Sequence, residues 1–354
     1  MKPVIFGLSG EELTSDECAL FAEVDPVGYT LFRRNIRDRD QLRALTDALR
    51  SLHGRDDVLI FVDQEGGRVM RMQPPIWPNF PSGSAFDALY DISAMTAIEA
   101  ARVNAEALGL VLNQAGITAN FLPVLDVRVP DTTPAIGDRA MGSDPMRVAA
   151  LGRAVLDGMH KGGAAGVVKH MPGHGRAVVD SHFELPHVHA TREELEQDIA
   201  PFRALNSASM GMTAHLVYDA WDGERCATMS PTVIHDIIRD KIGFDGLLMS
   251  DDLEMKALKG DVPSHAVNCI AAGCDVALNC WGRFDEMVAI AERLPDISDA
   301  ARRRFDAATE ALPSVAFDQQ RLDHLLAKRD ELLSLAAHIA QEKATNAETG
   351  ASWA

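Results

Sequence analysis

Three acidic residues directly follow an apolar run near position 250. The run 246–250 ends in Ser250, and Asp251, Asp252 and Glu254 come next. A carboxylate at the end of a buried strand is well placed to act as a nucleophile, because active sites of parallel barrels lie at the carboxyl ends of their strands. The alternative is that Ser250 or Asp252 only caps the following helix. We expect Asp251 to face a site and Asp252 to point away from it, since neighbours on an extended chain point to opposite sides.

A histidine-rich stretch is a second candidate for chemistry. Five histidines follow closely after Lys169, which itself ends an apolar run. A lysine at the end of a buried strand needs a partner. Asp180 and His182 are two positions apart, so in a loop or an extended segment both can face one cleft, and a carboxylate beside an imidazole favours general acid/base chemistry. We interpret His187 and His189 as incidental loop residues.

Two further polar segments follow predicted strands. The segment 63–71 reads DQEGGRVMR, with two acids, two glycines and two arginines after an apolar run. Carboxylates accept and guanidinium groups donate hydrogen bonds to hydroxyls, so this segment could hold a sugar; the alternative is a turn with solvated charges. The segment 136–139, IGDR, is a weak signal alone, because a lone loop arginine such as Arg139 is more often a surface residue.

Short apolar runs alternate with helical patterns along the chain. We predict strands near 3–7, 27–32, 57–62, 117–122, 165–169, 209–214, 246–250 and 274–279. We predict helices near 38–53, 95–115, 145–162, 191–206, 231–242, 262–272 and 283–293. Eight short, Val-, Ile-, Leu- and Phe-rich strands alternating with helices predict an α/β fold, a single (β/α)8 TIM-type barrel. The alternative is an open doubly wound sheet, but no G-x-G-x-x-G follows the first strand.

Helix signals and the C-terminal region set the predicted domain boundaries. Thr191 and Glu194 fit a capping box at the start of one helix. The segment 319–342 has an amphipathic spacing and is predicted to be a long helix packed on the barrel. We therefore predict one catalytic barrel domain over 1–342 and a disordered tail of small and polar residues over 343–354.

Composition argues against several classes of partner. The formal net charge of −18 is unfavourable for binding nucleic acid or an anionic membrane surface. Five cysteines without a C-x-x-C pair do not indicate a disulfide framework. The N-terminal stretch MKPVIFGLSGEEL lacks the apolar region and cleavage site of a signal peptide, and no run of about 18 apolar residues predicts a transmembrane helix. We expect a cytoplasmic protein.

The polar segments together resemble one known family. In chain order they read VDQEGGRV, GDR, KHMPGHG followed by DSH, and SDDLEM. This series resembles the β-N-acetylglucosaminidases of glycoside hydrolase family 3, in particular the short, single-domain bacterial members that recycle cell-wall muropeptides. Met171 stands where Phe or Ile is commoner in the family, a change that conserves bulk.

The resemblance implies a role for each matching residue. Asp251 matches the catalytic nucleophile, His182 the acid/base and Asp180 its partner. The groups that hold the terminal sugar match Asp63, Arg71, Arg139, Lys169 and His170. The resemblance also implies a single (β/α)8 domain, a cytoplasmic location, and no required cofactor or metal. The implied substrate is a small molecule, GlcNAc linked β-1,4 to 1,6-anhydro-N-acetylmuramic acid, usually with a peptide attached.

The residues alone leave two other functional classes open. The first is a metal-dependent barrel hydrolase, whose metal would be bound by His170, His174, His182, Asp63 and Asp251. The H-x-H or H-E-x-x-H spacing expected of such a metal site is absent at the first strand. A catalytically inactive sugar-binding protein would retain the sugar-holding residues, but both candidate catalytic groups are present. We favour a two-step retaining hydrolysis in which Asp251 attacks the anomeric carbon and His182 protonates the leaving oxygen.

Overall fold

Eight parallel strands close into a barrel in the computed structural model, which describes residues 1–55, 58–180 and 184–349, with side chains up to 335. They are β1 (Lys2–Gly7), β2 (Pro26–Leu31), β3 (Leu59–Val62), β4 (Ala119–Asn120), β5 (Ala165–Met171), β6 (Met210–Thr213), β7 (Leu247–Asp252) and β8 (Val276–Asn279). Each strand pairs in parallel with the next, and β1 pairs with β8 to close the ring. The predicted (β/α)8 barrel and its eight strands are confirmed.

Side chains along each strand alternate between the barrel interior and the surrounding helices. Leu59 and Phe61 of β3, for example, pack in the interior cluster, whereas the residues next to them pack outward. The same two-residue period continues past the apolar part of three strands. Asp63, Lys169 and Asp251 each stand two positions after an interior side chain, so they enter the mouth of the barrel.

Helices cover the outside of the barrel. They are α1 (Ser15–Val24), α2 (Arg39–His53), α3 (Gly83–Tyr90), α4 (Ala94–Gln114), α5 (Pro145–Gly162), α6 (Arg192–Ala204), α7 (Val262–Ala272), α8 (Phe284–Arg293), α9 (Asp299–Glu310) and α10 (Gln319–Thr349), with a π-helix at Val233–Lys241. The predicted capping box is confirmed, because the Glu194 N–H donates to Thr191 Oγ1 and the Thr191 N–H donates to the Glu194 carboxylate. The sequence prediction missed α1, α3 and α9.

Helix α9 covers the barrel at the N-terminal end of its strands. Phe305 and Ala308 pack into the same cluster as the barrel-interior side chains. Arg304 on this helix pairs with Asp275 at 3.0 Å and also with Asp245. With this end covered, a pocket into the interior has to open at the opposite end, beyond the carboxyl ends of the strands.

The last helix packs against α4. Arg321 of α10 pairs with Glu106 of α4 at 2.8 Å, and Leu322 is buried in the main core. The helix continues past position 342, its predicted end, to Thr349. The sequence there contains Ala, Lys and Glu, which favour helix. None of the helices in the described part of the chain has the length and apolar character of a membrane span.

A small sheet outside the barrel joins the loops that follow β5 and β6. Its strands are His187–Val188, Val217–Tyr218 and Asp222–Cys226. His187 and His189 both contact the carboxylate of Asp219, with His187 Nδ1 at 3.3 Å from Oδ1. The two histidines, interpreted from sequence as incidental, therefore link one loop to the other.

Candidate active site

A pocket at the C-terminal end of the barrel strands brings together the predicted site residues that the structure describes. Its lining includes Asp63, Arg71, Arg139, Lys169, His170, Asp180 and Asp251. They come from loops after β3, β4 and β5 and from the ends of β5 and β7. His182, the predicted acid/base, lies outside the described residues.

The bottom of the pocket is formed by the interior side chains nearest the C-terminal end of the strands. The rings of Phe61 and Phe121 stack with their centroids 5.2 Å apart, and Phe121 lines the pocket. Lys169 Nζ lies 5.8 Å from the centre of the Phe121 ring. The polar residues of the site therefore stand directly on an apolar surface, which suits a sugar with one apolar face and several hydroxyls.

Charged side chains alternate in sign around the pocket. Lys169 Nζ lies 3.0 Å from Asp63 Oδ1 and 2.7 Å from Glu65 Oε1. Arg71 Nη2 lies 3.1 Å from Asp63 Oδ2, and Arg139 makes two 2.8 Å hydrogen bonds to the two oxygens of Glu65. The two carboxylates supply the partners that the buried Lys169 requires.

The alternating charges keep one another ionised. Burial alone would lower the pKa of Lys169, but the carboxylates of Glu65 and Asp63 outweigh it and raise that pKa. Burial would raise the pKa of Asp63, but Lys169 and Arg71 outweigh it and lower that pKa. Burial likewise opposes the ionisation of Glu65, and Arg139 and Lys169 lower its pKa well below the usual range. The pocket thus holds a fixed set of charged donors and acceptors that can bind hydroxyls.

Asp126 holds two histidines and was missed by the sequence analysis. Its Oδ2 lies 2.7 Å from His170 Nδ1, and its Oδ1 accepts the backbone N–H groups of His170 at 3.2 Å and His174 at 2.7 Å. Burial would raise the pKa of Asp126, but His170 and His174 lower it to about 2. A signal was available, because an aspartate between Leu125 and Val127 in an apolar stretch needs buried partners.

His174 is buried beside His170, with ring centroids 5.5 Å apart. Burial, together with the neighbouring His170, lowers the pKa of His174 to about 4, so its ring is neutral at neutral pH. In the part of the chain that the structure describes, no group of three or more His, Cys, Asp or Glu side chains is arranged to hold a metal ion.

Asp251 ends the inward-facing series of β7 and is held in its ionised form. Burial would raise its pKa, but His170, His215, the N–H of Asp252 and Lys169 together lower it. The Asp252 N–H donates to Asp251 Oδ1 at 2.8 Å. His215, also missed from the sequence, is buried, and its Nε2 lies 2.9 Å from the backbone oxygen of Asp252.

Asp252 also lines the pocket, so the expectation that it points away is wrong. The pairing of β7 with β8 shifts register between Met249 and Asp252, and such an irregularity breaks strict alternation. Asp252 Oδ2 accepts the indole N–H of Trp281 at 3.2 Å. Burial and the nearby charge of Asp251 raise the pKa of Asp252 to about 6.

The site and fold together define a class of protein. An ionised carboxylate ends a barrel strand inside a pocket whose walls carry charged groups suited to hydroxyls, as in (β/α)8 glycoside hydrolases. Residues 15–315 match the model of the glycosyl hydrolase family 3 N-terminal domain. The chain belongs to glycosyl hydrolase family 3, which confirms the resemblance found in its motifs.

Relatives and solved structures agree with this assignment. The β-hexosaminidase of Alkalilimnicola ehrlichii is 38% identical over 299 residues, which cover 83% of this chain and 84% of that protein. The β-hexosaminidase of Aromatoleum aromaticum is 36% identical over 314 residues, covering 86% of each. The crystal structure of NagZ from Neisseria gonorrhoeae in complex with N-trifluoroacetyl-D-glucosamine has a TM-score of 0.84 at 31% identity and covers 95% of this chain and 98% of that one. The protein is thus an enzyme, a glycoside hydrolase of the β-hexosaminidase type.

Proposed function

We propose that this enzyme is a retaining β-N-acetylglucosaminidase that removes terminal, non-reducing β-linked GlcNAc. Its natural substrates would be GlcNAc-1,6-anhydro-MurNAc muropeptides of peptidoglycan recycling, cleaved in the cytoplasm without a cofactor or metal. The catalytic unit is one barrel domain over residues 1–342. Support comes from the β-hexosaminidase relatives and from the related NagZ, which is complexed with an N-acylated glucosamine.

One observation carries the proposal: Asp251 is an ionised carboxylate inside a pocket of fixed hydrogen-bonding groups. A nucleophilic carboxylate has to be unprotonated, and the neighbours of Asp251 lower its pKa despite its burial. Asp63 and Lys169 line the same pocket and keep their charges through their mutual contact. In this proposal they hold the hydroxyls of the terminal sugar, as do Arg71, Arg139 and His170.

In the first step Asp251 attacks the anomeric carbon and displaces the leaving oxygen. The bond between that carbon and the oxygen breaks as a glycosyl–Asp251 ester forms. His182 donates its proton to the leaving oxygen, so that the aglycone departs as a neutral alcohol. The negative charge of Asp251 is consumed in the ester bond.

In the second step water attacks the same carbon and releases Asp251 as a carboxylate. His182 takes the proton of the water and is ready for another cycle. Two inversions at one carbon leave the β configuration of GlcNAc unchanged. Asp180, which lines the pocket and stands two positions before His182 in the sequence, is the proposed partner that orients the imidazole and stabilises its charged form.

Hydrolysis of aryl glycosides by variant enzymes tests this function. We expect the wild-type enzyme to cleave 4-nitrophenyl β-GlcNAc in preference to the matching β-glucoside, and to do so with EDTA present. Asp251→Ala should lower kcat/KM on the order of 10³-fold or more, as removal of a member of a catalytic set does. Added azide should restore turnover of Asp251→Ala and give the α-glycosyl azide, because azide fills the space of the lost carboxylate.

The His182→Ala variant separates the acid from the nucleophile. Its loss should be large with a poor leaving group and small with 2,4-dinitrophenol, which departs without protonation. A preference for the glucoside would overturn the proposed substrate. Activity abolished by EDTA would favour the metal-dependent hydrolase instead.

A further inference from the structure

An exposed tryptophan stands at the rim of the active-site pocket. Trp281 follows β8 and is 54% exposed, whereas the preceding Cys280 lines the pocket. Among the described residues, the exposed large hydrophobic side chains include two aromatic ones, Trp281 and Phe284, which lie three positions apart. Tryptophan is enriched at binding surfaces, because its large apolar ring also carries an N–H donor.

The Trp281 ring is held by a contact within the protein. Its Nε1–H donates to Asp252 Oδ2 at 3.2 Å, and Asp252 lines the pocket next to the candidate nucleophile. The chain then turns at Gly282, which has a φ of +66°, and a Cβ there would overlap the backbone of Leu8. The ring is therefore a preorganised surface one residue away from the pocket wall.

A cation accompanies this ring. The guanidinium carbon of Arg283 lies 5.6 Å from the centre of the Trp281 ring, and its side chain is 62% exposed. Its shortest contact with a carboxyl group is with Glu254, at 3.3 Å. The guanidinium group has five N–H donors, so further donors are available to a ligand.

Arg68, a second exposed arginine near the pocket, has more of its donors occupied. Arg68 lines the pocket, but it binds Asp138 at 2.9 Å and also donates to two backbone carbonyls of the segment 134–135 at 2.6 and 2.7 Å. Arg283 is therefore the better candidate for binding an anionic group of the substrate.

We propose that Trp281 and Arg283 form the subsite for the leaving group: the indole ring stacks on the second sugar, and the guanidinium binds the carboxylate that this sugar carries when no peptide is attached to it. The inference rests on the proposed function, because that function supplies a β-linked disaccharide whose terminal GlcNAc lies in the pocket. It adds the residues that select the leaving group. A pyranose presents C–H groups to an aromatic face, and a carboxylate suits an exposed guanidinium.

Three substrates with the same terminal sugar test this subsite. N-acetyl-β-glucosaminyl fluoride has no second sugar, chitobiose has a neutral one, and GlcNAc-1,6-anhydro-MurNAc has one with a carboxylate. For Trp281→Ala we expect the ratio of kcat/KM on chitobiose to that on the fluoride to fall roughly tenfold, the size of one lost aromatic contact. For Arg283→Met we expect the ratio of kcat/KM on GlcNAc-1,6-anhydro-MurNAc to kcat/KM on chitobiose to fall roughly tenfold as well.

Matched variants distinguish the subsite from a structural effect. Trp281→Phe keeps an aromatic face but loses the N–H bond to Asp252, so its ratio should fall less than that of Trp281→Ala. Arg283→Lys should retain part of the preference for the carboxylate, and Arg68→Ala should not change it. An unchanged ratio in Trp281→Ala, or an equal fall in Trp281→Phe, overturns the proposal. No turnover of the fluoride by wild-type enzyme would instead refute the proposed function.

Discussion

Asp126 shows how one buried residue can position the groups that contact a substrate. It binds the ring of His170 and the backbone N–H of His174 at the same time. In Asp126→Asn the amide nitrogen would face His170 Nδ1 in place of an acceptor, so the ring would lose its orientation. We expect kcat/KM on 4-nitrophenyl β-GlcNAc to fall on the order of 10²-fold, as for a small misplacement of a binding group.

Asp131→Asn is the matched control, because Asp131 is exposed on the following loop. Its kinetics should equal those of wild type. Circular dichroism would establish that both variants are folded. A wild-type kcat/KM in folded Asp126→Asn would contradict the positioning role.

Glu254 and Glu286 form a close carboxyl pair next to Arg283. Asn279 Nδ2 donates to Glu254 Oε1 at 2.9 Å and to Glu286 Oε1 at 2.8 Å. Burial, followed by Glu286 and Asp252, raises the pKa of Glu254 to about 8, against the opposing effect of Arg283. The folded state thus holds this proton more tightly than the unfolded state does. The resulting stability is present in acid and is lost as the pH rises from about 4.5 through about 8.

Glu254→Gln imitates the protonated form of Glu254, so the free energy of unfolding should depend less on pH in this variant. We expect the free energy of unfolding in urea to decline less between roughly pH 5.5 and 8.5 in the variant than in wild type. Glu292→Gln, an exposed change on α8, should follow wild type. If both variants decline in parallel with wild type, Glu254 does not carry a raised pKa.

The ends of the predicted strands made part of the site predictable. They placed Lys169 and Asp251 at the barrel mouth, where the structure shows that each extends an inward-facing series with a two-residue period. The partners of these residues were harder to find. Asp126 meets His170 from a position 44 residues earlier in the chain, and no local pattern encodes that contact. Asp252 broke the same period because β7 shifts register against β8.

At the scale of elements, the loops after β4 and β5 have to pass very close to each other. Gly175 lies where a Cβ would overlap the backbone carbonyl oxygen of Val127. Since backbone on both sides restricts movement, Gly175→Ala should destabilise the fold by about 1–3 kcal/mol or more. It should also lower activity, because these loops carry Asp126 and His174.

Gly10→Ala serves as the control, since a Cβ at Gly10 meets no atom within 4 Å. Urea unfolding and 4-nitrophenyl β-GlcNAc kinetics would be measured for both variants. Equal stability of the two variants would show that the loops separate easily, contrary to this account.

The helices that the sequence analysis missed differ in the strength of their sequence signals. Helix α1 begins with a capping box in which Thr14 Oγ1 accepts the Glu17 N–H at 3.1 Å and the Glu17 carboxylate accepts the Thr14 N–H at 2.9 Å. This spacing is readable in the sequence. Helix α9 has little apolar surface in sequence, and its role depends on where Phe305 and Ala308 meet the barrel. Such a tertiary contact is not encoded by local periodicity.

The closed barrel was predictable because eight strands repeat one simple pattern. Each strand is short, apolar and followed by a helix, and closure buries the apolar side chains on both faces. Helix α9 covers one end of the barrel, and the polar residues collect at the other. This arrangement gathers side chains from distant parts of the sequence around Asp251.

We expect Asp251 to bond covalently to the sugar, and this bond can be tested by trapping the glycosyl–enzyme intermediate. The enzyme would be inactivated with 2-acetamido-2-deoxy-5-fluoro-β-glucosyl fluoride. Its 5-fluoro substituent slows both steps, but the good fluoride leaving group keeps the first step faster than the second, so the covalent intermediate accumulates. Peptides would then be identified by mass spectrometry. We expect one added fluoro-GlcNAc unit on Asp251, and none in Asp251→Ala. A label on Asp252 or Asp63, or steady turnover without any label, would contradict the account.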